Sequence, residues 1–431
     1  MDSYLALEKM LLILCADLAI IIGAARVFGW LFGKVGQPPV VGEILAGVIL
    51  GPSVLGRLYP AAIQTMLTPK TSAVLSAMAQ VGLILLMLLI GLEFPFDRLR
   101  HAARASTLVA GAGILVPFAS SYWLAGYLYG LAPGSAPELA FRLFFATAVS
   151  ITAIPIMGRI LIHTGLTRTR MGLTSITAAA IDDVLGWILL GAVISMVSHG
   201  KANLASLLVS LAGVVVLAVS FWALGRFGLS RLKIRRTATG GLSADRLAVV
   251  LVAVFAAATV TNALGVFSIF GGFLCGIAGS FNADLREAIR ASIGDIVAVL
   301  LLPIFFVFSG LRTDMGSLGS DPRLWMALLL VIAVSCASKF GATALAARAS
   351  GLPWMEALAI GLLMNTRALM ALVVINIGAD MGVLSPATFF WLVAMALFTT
   401  VITTPILRRA YPSPQATEQW GSSASDSARA G

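Results

Sequence analysis

The chain has 431 residues, of which 59% are hydrophobic and 11% charged, and its mean hydropathy is +0.98. A soluble domain of this length does not carry such a composition, so the sequence reads as an all-α polytopic membrane protein. The formal net charge of +10 has no basic stripe interleaved with aromatics behind it, which speaks against nucleic acid as a partner and makes the charge a signal of membrane topology.

About thirteen apolar stretches have the roughly 17–25 residues that a helix needs to cross a bilayer. The first, 8–32, carries Asp17; it is long and has no clear cleavage site, so it is expected to be retained rather than removed as a signal peptide. The second, 38–57, contains GEILAGVILGPS, the third, 72–92, ends LMLLIGLEF, and the fourth is 105–130. The fifth, 140–162, is interrupted at SITAIP, Ser150 to Pro155, where Pro155 removes a helical donor and disfavours helix at Ile154. The sixth, 171–198, holds TAAAIDDVLGWILL, with Asp182 and Asp183 adjacent. The seventh, 203–226, runs into a loop bearing Arg226, Arg231, Lys233, Arg235, Arg236 and Arg246. Loops on that side carry most of the Lys and Arg, which puts the carboxyl terminus in the cytoplasm and the amino terminus outside. The remaining stretches are 244–263, a short one at 265–280, 293–312, 324–347 with Lys339, 354–378 with MNTRAL, and 385–407. Beyond about residue 410 the Ser-, Ala- and Gly-rich tail reads as disordered. Cys15, Cys275 and Cys336 fall in apolar stretches and read as small buried residues, with no disulfide or metal framework.

Two short matches indicate an internal repeat. GEILAGVILGPS, aligned on Gly42 and Gly47, matches GGFLCGIAGS on Gly271 and Gly276 at an offset of 229, while Gly91 and Leu92 match Gly310 and Leu311 at 219. Helices two and three therefore recur as nine and ten. Two six-helix units joined by a seventh helix must lie in opposite senses in the membrane, the inverted-repeat architecture of secondary transporters. The expected division is a first repeat at 1–198, a linker helix with the basic cytoplasmic loop at 199–242, a second repeat at 243–408 and a disordered cytoplasmic tail at 409–431. Inverted repeats place broken helices near the midplane. SITAIP has its counterpart in MNTRAL, with Asn365, Thr366 and Arg367, at an offset of 215.

A charge at the centre of a transmembrane helix costs roughly 2.5–3.5 kcal/mol on insertion scales. Asp182 and Asp183 lie too deep for such short side chains to reach an interface. Neighbours on a helix point about 100° apart, so one can face a cavity and the other a partner helix. Burial and mutual repulsion make at least one of them able to exchange a proton near neutral pH. Lys339 requires an acidic partner or deprotonation, and the sixth helix supplies the obvious candidate. Arg159 and Arg367 are expected to hold broken-helix ends, whose carbonyls favour cations. Glu43 and Asp295 read as structural.

QPPVVGEILAGVILGPSVLG, LLMLLIGLEF, TAIPIMGRIL, AAAIDDVLGWILL, FFVFSGLRTD and NTRALMALVVINIGADMGVLSP, in this order, closely resemble the monovalent cation:proton antiporters of the Kef, Nap and plant cation/proton exchanger branch, over about residues 10–408. The resemblance implies a homodimer in which a mobile core, helices four to six and eleven to thirteen, moves against a scaffold by alternating access. In that core the unwound segments of helices five and twelve cross beside the aspartates. It makes Asp183 the ion-binding aspartate, Asp182 its neighbour, which is aspartate in electrogenic members, and Lys339 the lysine paired with Asp182. Ser150 and Thr152 match polar positions near the crossing, and Asp183, Asp182 and Thr152 become the candidate ligands of a transported cation. One departure stands out: the family pattern Asn-Thr-Arg-Gly-Leu-Met-Glu-Leu has Ala368 in place of its glycine here and Ala371 in place of its glutamate.

The function this implies is exchange of a monovalent cation for protons in a cell membrane, expected to be a bacterial inner membrane. Sodium or lithium is favoured because hard ions suit carboxylate and carbonyl oxygens, and potassium/proton exchange is the alternative. No cofactor is expected beyond the transported ions, and the partners are those ions, protons, membrane lipid and a second copy of the chain. The short tail has no G-x-G-x-x-G element after a strand, so an in-chain nucleotide-binding regulatory domain is not expected. An intramembrane aspartyl protease needs its acids on facing helices, whereas here they are contiguous. A rhomboid-type protease fails similarly, since Ser309 lies in Val-Phe-Ser-Gly, so no enzyme is expected; a cation channel is the lesser alternative, since channels favour rings from symmetric subunits over a buried acid and lysine in one inverted repeat.

Overall fold

The computed structural model of the chain describes residues 2–61, 68–93, 103–166, 169–198, 204–232, 236–237, 240–264 and 268–411. Lys233, Arg235 and the tail from residue 412 lie outside the described residues, so the expectation of a disordered tail lies there too. All regular structure among the described residues is helical. Among the described residues, ten helical spans, counting helices that continue across a break, are long and apolar enough to cross a membrane. The fifth expected crossing is instead built as two helices of 13 and 10 residues, and the ninth as one of 13, each too short by itself to span the roughly 30 Å of a hydrocarbon core.

The described chain divides into two compact units. One comprises Met1–Leu31, Gly42–Phe94 and Trp187–Ser320, the other Phe32–Val41, Pro95–Gly186 and Asp321–Gly431. Each draws on both of the segments, 1–198 and 243–408, that the sequence separates.

The first unit contains most of α1 (Asp2–Lys34), α2 (Pro39–Leu50) and α3 (Pro69–Leu92). Lipid tails are as apolar as leucine, so helices in a bilayer associate through close packing, which small residues permit. A Cβ on Gly42 of α2 would lie 2.3 Å from the Phe28 carbonyl oxygen of α1, and one on Gly47 would lie 2.1 Å from the carbonyl oxygen of Val307. The same contacts occur again elsewhere in the unit. A Cβ on Gly271 would lie 2.5 Å from the Ala257 carbonyl oxygen, and one on Gly276 would lie 2.2 Å from that of Leu88. Gly310 meets the Ile44 carbonyl and Gly91 the Phe273 carbonyl, both at 2.3 Å. Every residue of one set maps onto the other at the offsets of 229 and 219 found in the sequence.

The tenth stretch begins earlier than its apolar run suggests. Asn282 caps a helix, Ala283–Ile296, by accepting from the Leu285 amide at 3.1 Å, and this helix runs through a π turn at Val297–Leu301 into Leu302–Leu311. Its first turns are amphipathic, ADLREAIRASIGDI, so hydropathy alone finds only the later part. Asp295 is exposed there. Arg236 of the basic loop pairs with Asp284 and Glu287, each at 2.6 Å, and Arg290 pairs with Glu93 at 2.7 Å. Exposed pairs of this kind contribute about 0–1 kcal/mol each. All three cysteines are free, and Cys15 is exposed rather than buried. It sits on an apolar face of α1 with Leu11 and Leu12, where contact with lipid costs an apolar side chain nothing.

The second unit holds α4 (Ala103–Tyr129), α5 (Glu138–Ser150), α6 (Ile154–His163) and the first part of α7 (Arg170–Ser198). Five further helices complete the numbering of the first unit: α8 (Leu204–Ala223), α9 (Ala244–Ala263), α10 (Ser268–Ser280), α11 (Ala283–Ile296) and α12 (Leu302–Leu311). The second unit continues with α13 (Pro322–Ala349), α14 (Trp354–Met364), α15 (Ala368–Asp380) and α16 (Pro386–Ala410). Helix α13 packs on α4, α14 and α16. Its buried residues Ala327, Val331, Ser335, Lys339, Thr343 and Ala347 recur every fourth position and form one stripe, which places Ser335 one turn from Lys339.

Candidate functional site

Two helices of the second unit are broken where the sequence changes character. Helix α5 ends at Ser150, the backbone is extended at Ile151 (φ −81°, ψ 145°), and α6 starts at Ile154. Pro155 is the second residue of α6, where a missing N–H is harmless because the first helical amides lack intrahelical partners. The side chains of Pro155 and Arg159 lie outside the described residues. Helix α14 ends at Met364 and α15 starts at Ala368, with no proline between them. Here a hydroxyl substitutes for the missing ladder: Thr400 Oγ1 of α16 accepts from the amides of Arg367 at 3.4 Å and Ala368 at 3.3 Å.

The two breaks cross and satisfy each other. The Ala153 amide donates to the Thr366 carbonyl at 2.8 Å, and Thr152 Oγ1 donates to the Met364 carbonyl at 3.0 Å. Backbone groups freed by interrupting a helix have no water to turn to inside a bilayer, so each break needs a partner.

Helix α7 brings Asp182 and Asp183 to this crossing; they are 0% and 1% exposed. Asp182 Oδ2 accepts from Lys339 Nζ at 2.9 Å, an ion pair between two fully buried groups. The hydroxyl and amide of Thr152 also lie beside this carboxylate. The same ammonium donates to the Ser150 carbonyl, at the carboxyl end of α5, where the helix dipole favours a cation. Neither carboxylate oxygen of Asp183 has a hydrogen-bond partner among the described residues. The pair is thus asymmetric, with one aspartate held by lysine and its neighbour unengaged.

Arg367 is fully buried. It donates to the Ser335 carbonyl of α13 at 2.6 Å, to Asn365 Oδ1 at 3.4 Å and to Met395 Sδ of α16 at 3.6 Å. Ser335 lies within the continuous helix α13, so the expectation that Arg367 caps a broken-helix carbonyl is corrected: it ties the break to its neighbours through the Asn365 side chain. Asn365 Nδ2 in turn reaches Cys336 Sγ at 3.7 Å. Ser150 takes part through its carbonyl, while its hydroxyl donates to Thr147 at 3.0 Å within its own helix. Sequence reasoning missed Gly113 of α4, Met395 and Thr400. A Cβ on Gly113 would lie 2.8 Å from Thr343 Cγ2, so a glycine lets α4 approach α13 one turn from the lysine. Nothing local in the sequence marks these three.

Crossed, broken helices beside a buried acid–lysine pair, in an all-helical chain with many membrane-crossing helices, define a secondary transporter. The sequence pattern of the sodium/hydrogen exchanger transmembrane family matches residues 21–409, and the chain belongs to that family. It is a multi-pass membrane transporter and not an enzyme. It is 38% identical over 406 residues to the Na(+)/H(+) antiporter NhaS4 of Synechocystis sp., covering 94% of this chain and 98% of that protein. It is 34% identical over 406 residues to Cation/H(+) antiporter 19 of Arabidopsis thaliana, covering 94% of this chain and 50% of that one, so it spans about half of that plant protein. Among solved structures, the sodium proton antiporter MjNhaP1 of Methanocaldococcus jannaschii shares the fold, with a TM-score of 0.63, 14% identity, and 93% and 96% of the two chains covered.

Proposed function

We propose that the chain exchanges sodium or lithium for protons by alternating access, with oxygen ligands from Asp183, Asp182 and Thr152. The observation that carries this reading is the asymmetric aspartate pair at the helix crossing. A carboxylate buried without a partner is costly, and a chain that keeps one keeps it to bind something positive. Proton and cation compete for Asp183. When the cation enters, Asp182 turns from Lys339 to the cation, and the lysine, stranded without its carboxylate, releases its proton. Two protons then leave as one cation binds, and transport is electrogenic. Carboxylate, hydroxyl and carbonyl oxygens suit a hard ion, and the likeness to the Na(+)/H(+) antiporter NhaS4 supports sodium.

The twofold recurrence of the glycine contacts supports inverted repeats at 1–198 and 243–408, the architecture in which one part of a transporter rocks against the other around a fixed site. The chain would act as a homodimer in a bacterial inner membrane, with its amino terminus outside. On a cysteine-free background, a cysteine at exposed Ser230 should react only from the cytoplasm and one at exposed Ser320 only from outside. Reaction of both from one face would sink the inverted topology. For the exchange itself, proteoliposomes containing a pH dye should respond to sodium and lithium more strongly than to potassium. Asp183→Asn should abolish that response in a protein that still folds. Retained sodium-driven proton flux in this variant would place the site elsewhere, and a potassium-preferring wild type would overturn the choice of ion.

A further inference from the structure

The site holds a second buried cation that the exchange scheme does not use. Every group that bonds the Arg367 guanidinium is uncharged: the Ser335 carbonyl, the Asn365 amide oxygen and the Met395 thioether. Among the described residues its Nε has no hydrogen-bond partner, nor has the buried hydroxyl of Ser335, and Arg367 makes no ion pair. A buried guanidinium normally has a carboxylate in bidentate contact. One turn further along α15, the buried residue at the position that could supply one is Ala371. Arg367 nevertheless sits in the field of the site. Its anchor Ser335 is one turn from Lys339 on the same buried stripe of α13.

With sodium at the ionised aspartates, Asp182, Asp183, Lys339, Arg367 and the ion together leave one positive charge in excess in a low-dielectric interior, and guanidinium does not lose its proton in proteins. The Arg367 charge therefore opposes the incoming ion.

We propose that Arg367 is a fixed counter-cation of the aspartate pair and lowers the apparent affinity for the transported ion. Arg367 acts here through the carboxylates and is a positioning residue for charge rather than a ligand. The inference rests on the reading that Asp182 and Asp183 hold the cation.

The contact with Met395 supplies the test. Met395→Glu places a carboxylate where the thioether now meets Nη1, and Met395→Gln places the same shape without charge. In proteoliposomes, and as sodium-dependent thermal stabilisation of the purified protein, Met395→Glu should lower the half-maximal sodium concentration about tenfold, the equivalent of about 1.4 kcal/mol. Met395→Gln should move it less than about twofold. Equal shifts in the two variants, or no shift in a folded Met395→Glu protein, overturn the proposal. Should Met395→Glu fail to fold, Arg367→Gln must show the same rise in sodium affinity, and an unchanged or weaker affinity there also overturns it. Adding Asp183→Asn to Met395→Glu separates the two readings. Sodium binding that survives this double change refutes the assignment of the cation to Asp183, whereas its loss leaves the shift of the single variant as the measure of Arg367.

Discussion

The Asp182–Lys339 pair can be tested by a double-mutant cycle whose size follows from the structure. At the observed separation of 2.9 Å, two unit charges attract by about 6 kcal/mol at an effective dielectric constant of about 20. Desolvating both groups offsets most of this, so exchanging the whole pair for neutral groups is expected to be nearly neutral. Removing one partner is different, because the other stays buried and uncompensated, at a cost of about 3–5 kcal/mol. Lys339→Met should therefore be strongly destabilising: it strands Asp182 and also leaves the Ser150 carbonyl without its donor. Asp182→Asn strands the lysine to a smaller extent, since an amide oxygen can still accept. The double variant should recover most of the loss, with a coupling of about 3 kcal/mol where independent sites would add within about 0.5 kcal/mol. A chain of this size shifts by roughly 2 °C per kcal/mol or less, so Lys339→Met should melt up to about 10 °C below wild type in detergent, with the double variant close to wild type. Additive losses would show that the pair contributes no coupling and would remove the lysine from the mechanism.

Two further outcomes test the exchange scheme and the packing of the scaffold. Asp182→Asn should retain one-for-one exchange at Asp183 while its rate no longer responds to an imposed membrane potential; a variant as voltage-sensitive as wild type would make the pair a structural clamp between α7 and α13. Gly47→Ala and Gly276→Ala should lower the melting temperature by similar amounts, since each would set a Cβ within 2.2 Å of a carbonyl oxygen, whereas Gly23→Ala, with nothing within 4 Å, should be tolerated. Tolerance at either of the first two positions would contradict the close backbone approach.

What the sequence makes legible is chemistry that clashes with its local surroundings. Asp182, Asp183 and Lys339 stand out because a charge in mid-span is expensive wherever the helix ends up, and Pro155 breaks a helix by its own covalent structure. The break at 365–367 has no proline and is visible only as a polar tripeptide aligned with the first break. What closes it in space, the Thr400 hydroxyl, comes from the next helix and resembles any other membrane-helix threonine. The same holds for Gly113, whose value lies in the room it leaves for Thr343, one turn from Lys339, and for the Ser150 carbonyl, which every residue possesses. Hydropathy found the tenth crossing but started it late, because the first turns of α11 bury Leu285, Ala288, Ile289 and Ile293 on one face and carry charges on the other. A window average reads such a segment as polar, while its periodicity reads as helix.

The placement of Lys339 ties a change of charge to a change of backbone. Its ammonium neutralises Asp182 and also occupies the carboxyl end of α5, three residues before Ala153, whose amide is bound to the Thr366 carbonyl of the second break. On the proposed scheme a cation that draws Asp182 away strips the lysine of its proton. With the charge goes part of what holds the end of α5, because a neutral amine satisfies a helix-end dipole less well than a cation does. The event that binds the ion thus weakens a contact at the point where the two broken helices are joined. Arg367 cannot take part in this way, since its charge is permanent, and its bonds to Ser335 and Asn365 hold the second break whether or not an ion is present. On this scheme one of the two buried cations fixes the crossing and the other can release it, and that difference between guanidinium and ammonium would let the site move when its cargo changes.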